Sequence, residues 1–139
     1  MTTTLSVGDL KRLRGGLPAV APRSKYGNKR VKGFDKSGAV ITFDSVKEAR
    51  RWSELLLLER QGVISQLERQ VPFHFAVAGN YLTYSSNRKV KYVADFSYIH
   101  LKSGATVVED AKSKGTVTPA YKIKRALMSL FHSIEIREV

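Results

Sequence analysis

The chain reads as an α/β domain in which helices flank a mixed β-sheet, with the core order helix, three strands, helix, strand. Three observations predict this. One helix is marked from cap to stop between Ser45 and Gly62. Three later segments, Val71–Val77, Val90–Ile99 and Ala105–Lys112, are rich in β-branched and aromatic residues. A second capped helix then separates them from a short alternating end, Ser133–Val139.

Residues 1–36 carry nine Lys or Arg against two Asp, together with Gly15, Gly16, Pro18, Pro22 and Gly27, and show no sustained periodicity. Residues 1–33 are therefore expected to be a flexible basic arm, and residues 34–139 the folded domain. Ala39–Phe43 reads as a short strand. In the first helix Ser45 stands three residues before Glu48, the capping-box spacing, and Gly62 ends the run. Ala49, Trp52, Leu55, Leu56 and Glu59 recur between them at helical spacing, so this helix should be buried along much of its length. Pro72 places the Val71–Val77 strand near an edge. Gly104 permits a hairpin turn between the next two strands. Thr118 followed by Pro119 is a helix start, and the helix should run to about His132. It is expected to expose Lys122, Lys124 and Arg125 and to bury Ile123, Ala126, Leu127 and Leu130.

Twenty-four basic residues against twelve acidic ones give the 139-residue chain a formal charge of +12. That balance favours a polyanionic partner, and nucleic acid leads because no apolar run approaches the roughly 18 residues of a membrane span. The opening MTTTLSVGDLKRLRGG lacks an apolar signal core, so a cytoplasmic location is expected. With no cysteine and three scattered histidines, a zinc site is not expected.

The acids are where chemistry concentrates. The 66 residues between Glu68 and Glu135 hold ten basic side chains and only three acidic ones, Asp95, Glu109 and Asp110. A carboxylate in a sheet covered on both faces is costly unless it is paired or binds a metal. Strand alternation points Asp110 and Lys112 the same way, about 7 Å apart at their bases, and turns Glu109 to the other face. If the hairpin forms, Asp95 lies across from Asp110. The two carboxylates, with the carbonyl of Ala111, could then share a magnesium ion, which takes hard oxygen ligands. Lys112 would orient or deprotonate the attacking water, or stabilise charge building on phosphorus. The tripeptide alone is worth little: Asp9-Leu10-Lys11 matches it equally well, and the value lies in the strands around it. Glu109 reads as a structural partner. Glu48 is accounted for by capping, and equally is the acid nearest the start of the first core helix. Gln70 either bonds near the site or lies exposed at a strand edge.

The run Tyr92-Val93-Ala94-Asp95-Phe96, the run Val107-Val108-Glu109-Asp110-Ala111-Lys112, the helix carrying Glu48 and the basic helix from Thr118 to Arg125 resemble the PD-(D/E)xK nuclease superfamily. More narrowly, with Lys25–Arg30 and Arg88–Phe96 included, residues 25–139 look like a family of small phage and prophage endonuclease-like proteins related to Holliday-junction resolvases. The resemblance implies a restriction-endonuclease-like core and a Mg2+- or Mn2+-dependent DNA endonuclease of a phage or prophage acting in the host cell. It implies Asp95 and Asp110 as ligands, with Lys112 as the catalytic lysine, and Glu48 as the position where such nucleases often add a metal or water ligand. Two departures stand out: Ala94 rather than proline precedes Asp95, and the second acid is aspartate rather than glutamate.

Three readings follow. The first is an endonuclease acting on branched or distorted DNA in phage recombination, replication or packaging. In it Lys25, Lys29, Arg30, Lys122, Lys124 and Arg125 grip phosphates, and Tyr26 and Tyr121 stack on unpaired bases or simply pack. Junction cutting favours a homodimer, one subunit per strand. The second is a non-catalytic nucleic-acid-binding or regulatory protein on the same fold. The third, sequence-specific cleavage, has little chain left for a reading domain.

Overall fold

The first described element is a strand whose identity depends on a glycine. The computed structural model describes residues 29–112 and 117–139. Strand β1, Val31–Phe34, pairs antiparallel with β2, Val40–Phe43. A side chain at Gly33 would place its Cβ 2.8 Å from the Phe43 ring, so only glycine lets the strand lie this close. Asp35 closes the turn: its Oδ1 accepts from the backbone N–H groups of Ser37, at 2.8 Å, and Ala39, at 2.9 Å. Residues 31–33, expected in the basic arm, therefore belong to the domain. The reason is tertiary: the Trp52 indole N–H donates to the Phe34 carbonyl at 2.9 Å and ties β1 to the first helix. Residues 1–28 of the expected arm lie outside the described residues.

Helix α1, Val46–Arg60, starts where Ser45 Oγ accepts from the Glu48 N–H at 3.1 Å. It stops where Gly62 takes a left-handed φ of 71° and donates to the Glu59 carbonyl. Four strands then build the main sheet: β3 (Ile64–His74), β6 (Lys91–His100), β7 (Ala105–Asp110) and β8 (Arg137–Glu138). Their order is β3-β6-β7-β8, antiparallel except for the parallel pair β7–β8. The sheet is thus mixed, as expected. Parallel pairing requires a crossover. Helix α2, Pro119–His132, supplies it, capped by Thr118 Oγ1 accepting from the Tyr121 N–H. Between β3 and β6 the chain makes a small wing, β4 (Ala76–Val77) and β5 (Asn80–Tyr81), exposed throughout.

Two apolar clusters hold these parts. Phe43, Trp52, Leu55, Ile64, Leu67, Phe96 and Tyr98 form the one that carries α1. The other carries α2 and contains Phe75, Tyr92, Ala94, Val108, Tyr121, Met128 and Ile136. Helix α2 turns a different face inward from the one expected. Tyr121 and Met128 are buried and Leu127 and Phe131 pack beside them, whereas Ala126 is exposed, Ile123 is 62% exposed and Leu130 is 78% exposed. Apolar residues cover so much of this helix that spacing alone leaves its rotation open. The large Tyr121 and Met128 side chains fill the sheet surface, and Lys124 follows them inward.

Candidate functional site

The β6–β7 register sets Phe96 opposite Glu109, which brings Asp95 alongside Asp110 at the next position. The two carboxylates are held by different partners. Asp95 Oδ2 accepts from the Ala111 backbone N–H at 2.8 Å, and its Oδ1 from Gln70 Nε2 at 3.3 Å. Gln70 reaches it from β3 in a left-handed conformation, φ 53°. Asp110, only 3% exposed, accepts at Oδ2 from the Tyr92 hydroxyl at 3.0 Å. Lys112 Nζ lies 3.2 Å from that same oxygen and 4.6 Å from the centre of the Tyr121 ring.

Burial, then the neighbouring Asp110 carboxylate, pushes the Asp95 carboxyl up to about 7. Burial also raises Glu48, against the lowering effect of its hydrogen bond from Ser45, and the charges of Asp44 and Asp110 raise it further. Glu48 belongs to the cap of α1, where the Ser45 hydroxyl donates to its Oε1 at 3.2 Å, and its charge also acts on Asp95 and Asp110. Burial and the adjacent Asp110 charge drive the Tyr92 phenol far above its ordinary value, so it stays a donor.

Glu109 belongs to a different construction. It is fully buried, takes a two-pronged contact from Arg51 (Nε at 2.8 Å, Nη2 at 2.7 Å) and accepts from the Tyr98 hydroxyl at 2.6 Å. These bonds fix α1 to β7, one residue before Asp110. Lys47 adds a second link, its Nζ donating to the Lys112 carbonyl at 2.6 Å.

A cleft of about 730 Å³ opens over Asp110 and Lys112, walled by β6, the start of α2 and the wing. Among the described residues five basic side chains line it, Arg88, Lys89, Lys91, Lys112 and Lys124, against a single acid, Asp110. Such a surface concentrates anions and suits a phosphate backbone.

The sequence-based phosphate contacts meet this cleft unevenly. Lys124 lines it, as does Tyr121. Lys122 and Arg125 are exposed on α2 outside its lining, and Arg125 is paired with Glu138 at 3.0 Å. Their displacement follows from the rotation of α2. Lys29 and Arg30 are exposed before β1, with Arg30 3.4 Å from Asp44. Lys25 and Tyr26 lie outside the described residues. Sequence reasoning missed Arg88, Lys89 and Lys91 as cleft residues and Arg51 as the partner of Glu109. A signal for the first group was present: the basic residues of NRKVK, 87–91, directly follow the turn residues Ser85 and Ser86.

A family model described as "Protein of unknown function (DUF1064)" matches residues 23–137. The chain belongs to the DUF1064 family. No curated protein and no solved structure is matched. In this DUF1064 chain the family match spans every element from β1 into β8, and so contains Asp95, Asp110, Lys112 and the whole cleft.

Proposed function

We propose that the protein is a metal-dependent DNA endonuclease of the PD-(D/E)xK type, built on a restriction-endonuclease-like core. The observation that carries this reading is that Asp110 and Lys112 line a cleft whose other charged side chains, among the described residues, are all basic, with Asp95 paired alongside Asp110 on the neighbouring strand. A passive phosphate binder gains nothing from a carboxylate facing its ligand with a second one beside it.

The donor set fits a hard divalent cation. Asp95 and Asp110 sit close enough that one raises the pKa of the other, and a cation between them removes that repulsion. Among the described residues no group of three or more His, Cys, Asp or Glu side chains is arranged to hold a metal. Magnesium matches so small a protein contribution, since it commonly binds through one or two carboxylates and keeps several waters. The Ala111 carbonyl, between Asp110 and Lys112, is a further oxygen, and Glu48 is the nearby acid able to hold a water. Bound there, Mg2+ or Mn2+ would supply an activated water and a phosphate anchor.

The chain's own groups do the rest. Tyr92 and the Ala111 N–H each fix one carboxylate. Lys112 presents its ammonium beside Asp110, where it orients the attacking water or stabilises charge on the phosphate. Tyr121 lies beside the lysine and limits where it can swing. Lys91, Lys124 and Arg88 neutralise the phosphates on either side of the scissile bond.

The test is cleavage of labelled four-way junction, flap, single-stranded and linear duplex DNA with Mg2+, Mn2+ or EDTA. Metal-dependent cutting, strongest on branched substrates and lost in Asp110→Ala, is the expected result. Binding without cutting under either metal would leave a non-catalytic nucleic-acid-binding protein as the better account.

A further inference from the structure

The wing between β3 and β6 is explained by neither the core nor the acids. Residues 76–89 are exposed without interruption, and residues 76–91 contain Arg88, Lys89 and Lys91 but no acid. An exposed segment this long gains little from folding unless something fixes it. Here it is two successive turns. Ala78 and Gly79, both at positive φ, close the β4–β5 hairpin. Beyond it the chain doubles back: the Val90 N–H donates to the Leu82 carbonyl, the Tyr84 N–H to the Arg88 carbonyl, and the Asn87 N–H to the Tyr84 carbonyl. Asn87 takes a left-handed φ of 60°, a conformation asparagine tolerates well.

That second turn sets Tyr84 and Arg88 side by side at the tip. The guanidinium carbon of Arg88 lies 5.4 Å from the centre of the Tyr84 ring, yet the tyrosine stays 45% exposed. Both line the cleft that contains Asp110 and Lys112. The neighbouring tyrosine differs. Tyr81 is outside the cleft lining, with Lys89 Nζ 3.8 Å from its ring centre and His74 against its edge. Tyr84 is therefore the wing's aromatic face turned to the cleft, with a cation at its flank.

An aromatic ring beside a guanidinium, within a basic groove, is a surface on which an unpaired base stacks while its phosphate is neutralised. We propose that the wing grips an unpaired nucleobase of a branched DNA substrate, with Tyr84 as the stacking face and Arg88 as the accompanying cation. The nuclease reading supplies the substrate class; the wing supplies the preference for DNA with a single-stranded branch. A fully paired duplex offers no free base face to Tyr84 and would be held by the cleft's lysines alone.

The assignment is tested by binding in EDTA, where no cutting occurs. A duplex with a single-stranded flap, carrying a fluorescent base analogue at the branch, is compared with a blunt duplex of the same length. Wild type should bind the flap more tightly and quench the analogue. Tyr84→Ala should lose the quenching and at least about fivefold in flap affinity, while its duplex affinity changes less than about twofold. Tyr84→Phe, which keeps the ring, should behave as wild type. The backbone bonds that form the turn survive both substitutions. The proposal is overturned if wild type shows no flap preference, if Tyr84→Ala weakens both substrates equally or neither, or if phenylalanine fails to replace tyrosine. Failure of the nuclease reading looks different: the Tyr84-dependent preference persists in EDTA, and no metal produces cleavage.

Discussion

Asp95 holds a proton at a pH where a free aspartate has lost it, because it is buried and because Asp110 sits beside it. Between the ordinary value of 3.8 and about 7, the folded protein therefore binds more protons at this site than the unfolded chain does. Stability contributed by the site is present at low pH and is lost as pH rises toward and past 7. In EDTA, the melting temperature of wild type should thus fall relative to Asp95→Asn as pH is raised from about 4 to about 7.5; parallel profiles would show that neither burial nor Asp110 raises the Asp95 carboxyl. Metal binding runs the other way, since it needs both carboxylates charged. Mn2+ affinity, followed by calorimetry in two buffers of different ionisation heat, should rise through the same interval with release of a proton. Lys112 makes a separable contribution. Its removal leaves the two carboxylates in place, so Lys112→Ala should keep Mn2+ affinity within a few-fold while cleavage falls by about a hundredfold or more. A large loss of metal affinity in that variant would move Lys112 from chemistry to site assembly.

Helix α1 is fastened to the edge of the site by one buried ion pair. Arg51 grips Glu109, which has no contact with solvent and also accepts from Tyr98, whose phenol is pushed up to about 12 by burial and by that carboxylate. Breaking such a pair leaves the buried carboxylate to the more distant Arg137, whose Nη1 lies 3.9 Å away, so the cost should approach that of a stranded buried charge, about 3–5 kcal/mol. Arg51→Ala should therefore lower unfolding free energy in urea by that order, and the exposed neighbour Arg50→Ala by less than about 0.5 kcal/mol. Equal effects would mean that α1 is held by its apolar face alone. The caps of both helices and the β6–β7 hairpin were legible because each rests on a short-range rule: a hydroxyl three residues before an amide, a glycine where φ must be positive, a run of β-branched residues. Strand β3 was legible only from Val71 onward. Gln66 and Gln70 both take positive φ, and the register shifts between Ser65 and Glu68, so the two-residue alternation that marks a strand is broken there. The rotation of α2 was illegible for the opposite reason, an excess of apolar residues around the helix.

The cleft joins what lies far apart in sequence: the wing, Asp110, Lys112 just beyond the end of β7, and the start of α2. Asp95, Asp110 and Lys112 could be singled out beforehand because acids are scarce in that part of a basic chain. The basic wall could not, because which of 24 cations face one groove depends on how the wing and α2 pack. The distinction is measurable. Phosphate contacts set the salt dependence of binding, so Lys91→Ala and Lys124→Ala should each reduce the slope of log affinity against log salt by about 1. Arg125→Ala, whose side chain pairs with Glu138 outside the cleft lining, should leave the slope unchanged. A slope that responds to Arg125 and not to Lys91 would place the DNA on another face. Whether the acidic pair cuts DNA is tested most directly by single-turnover cleavage of a branched DNA by wild type and Asp110→Asn at saturating protein, with and without Mg2+. Wild type should cut with Mg2+ only, and the variant should not cut although the DNA remains bound. Equal cutting by the two proteins, or cutting that persists in EDTA, would contradict a catalytic role for the pair.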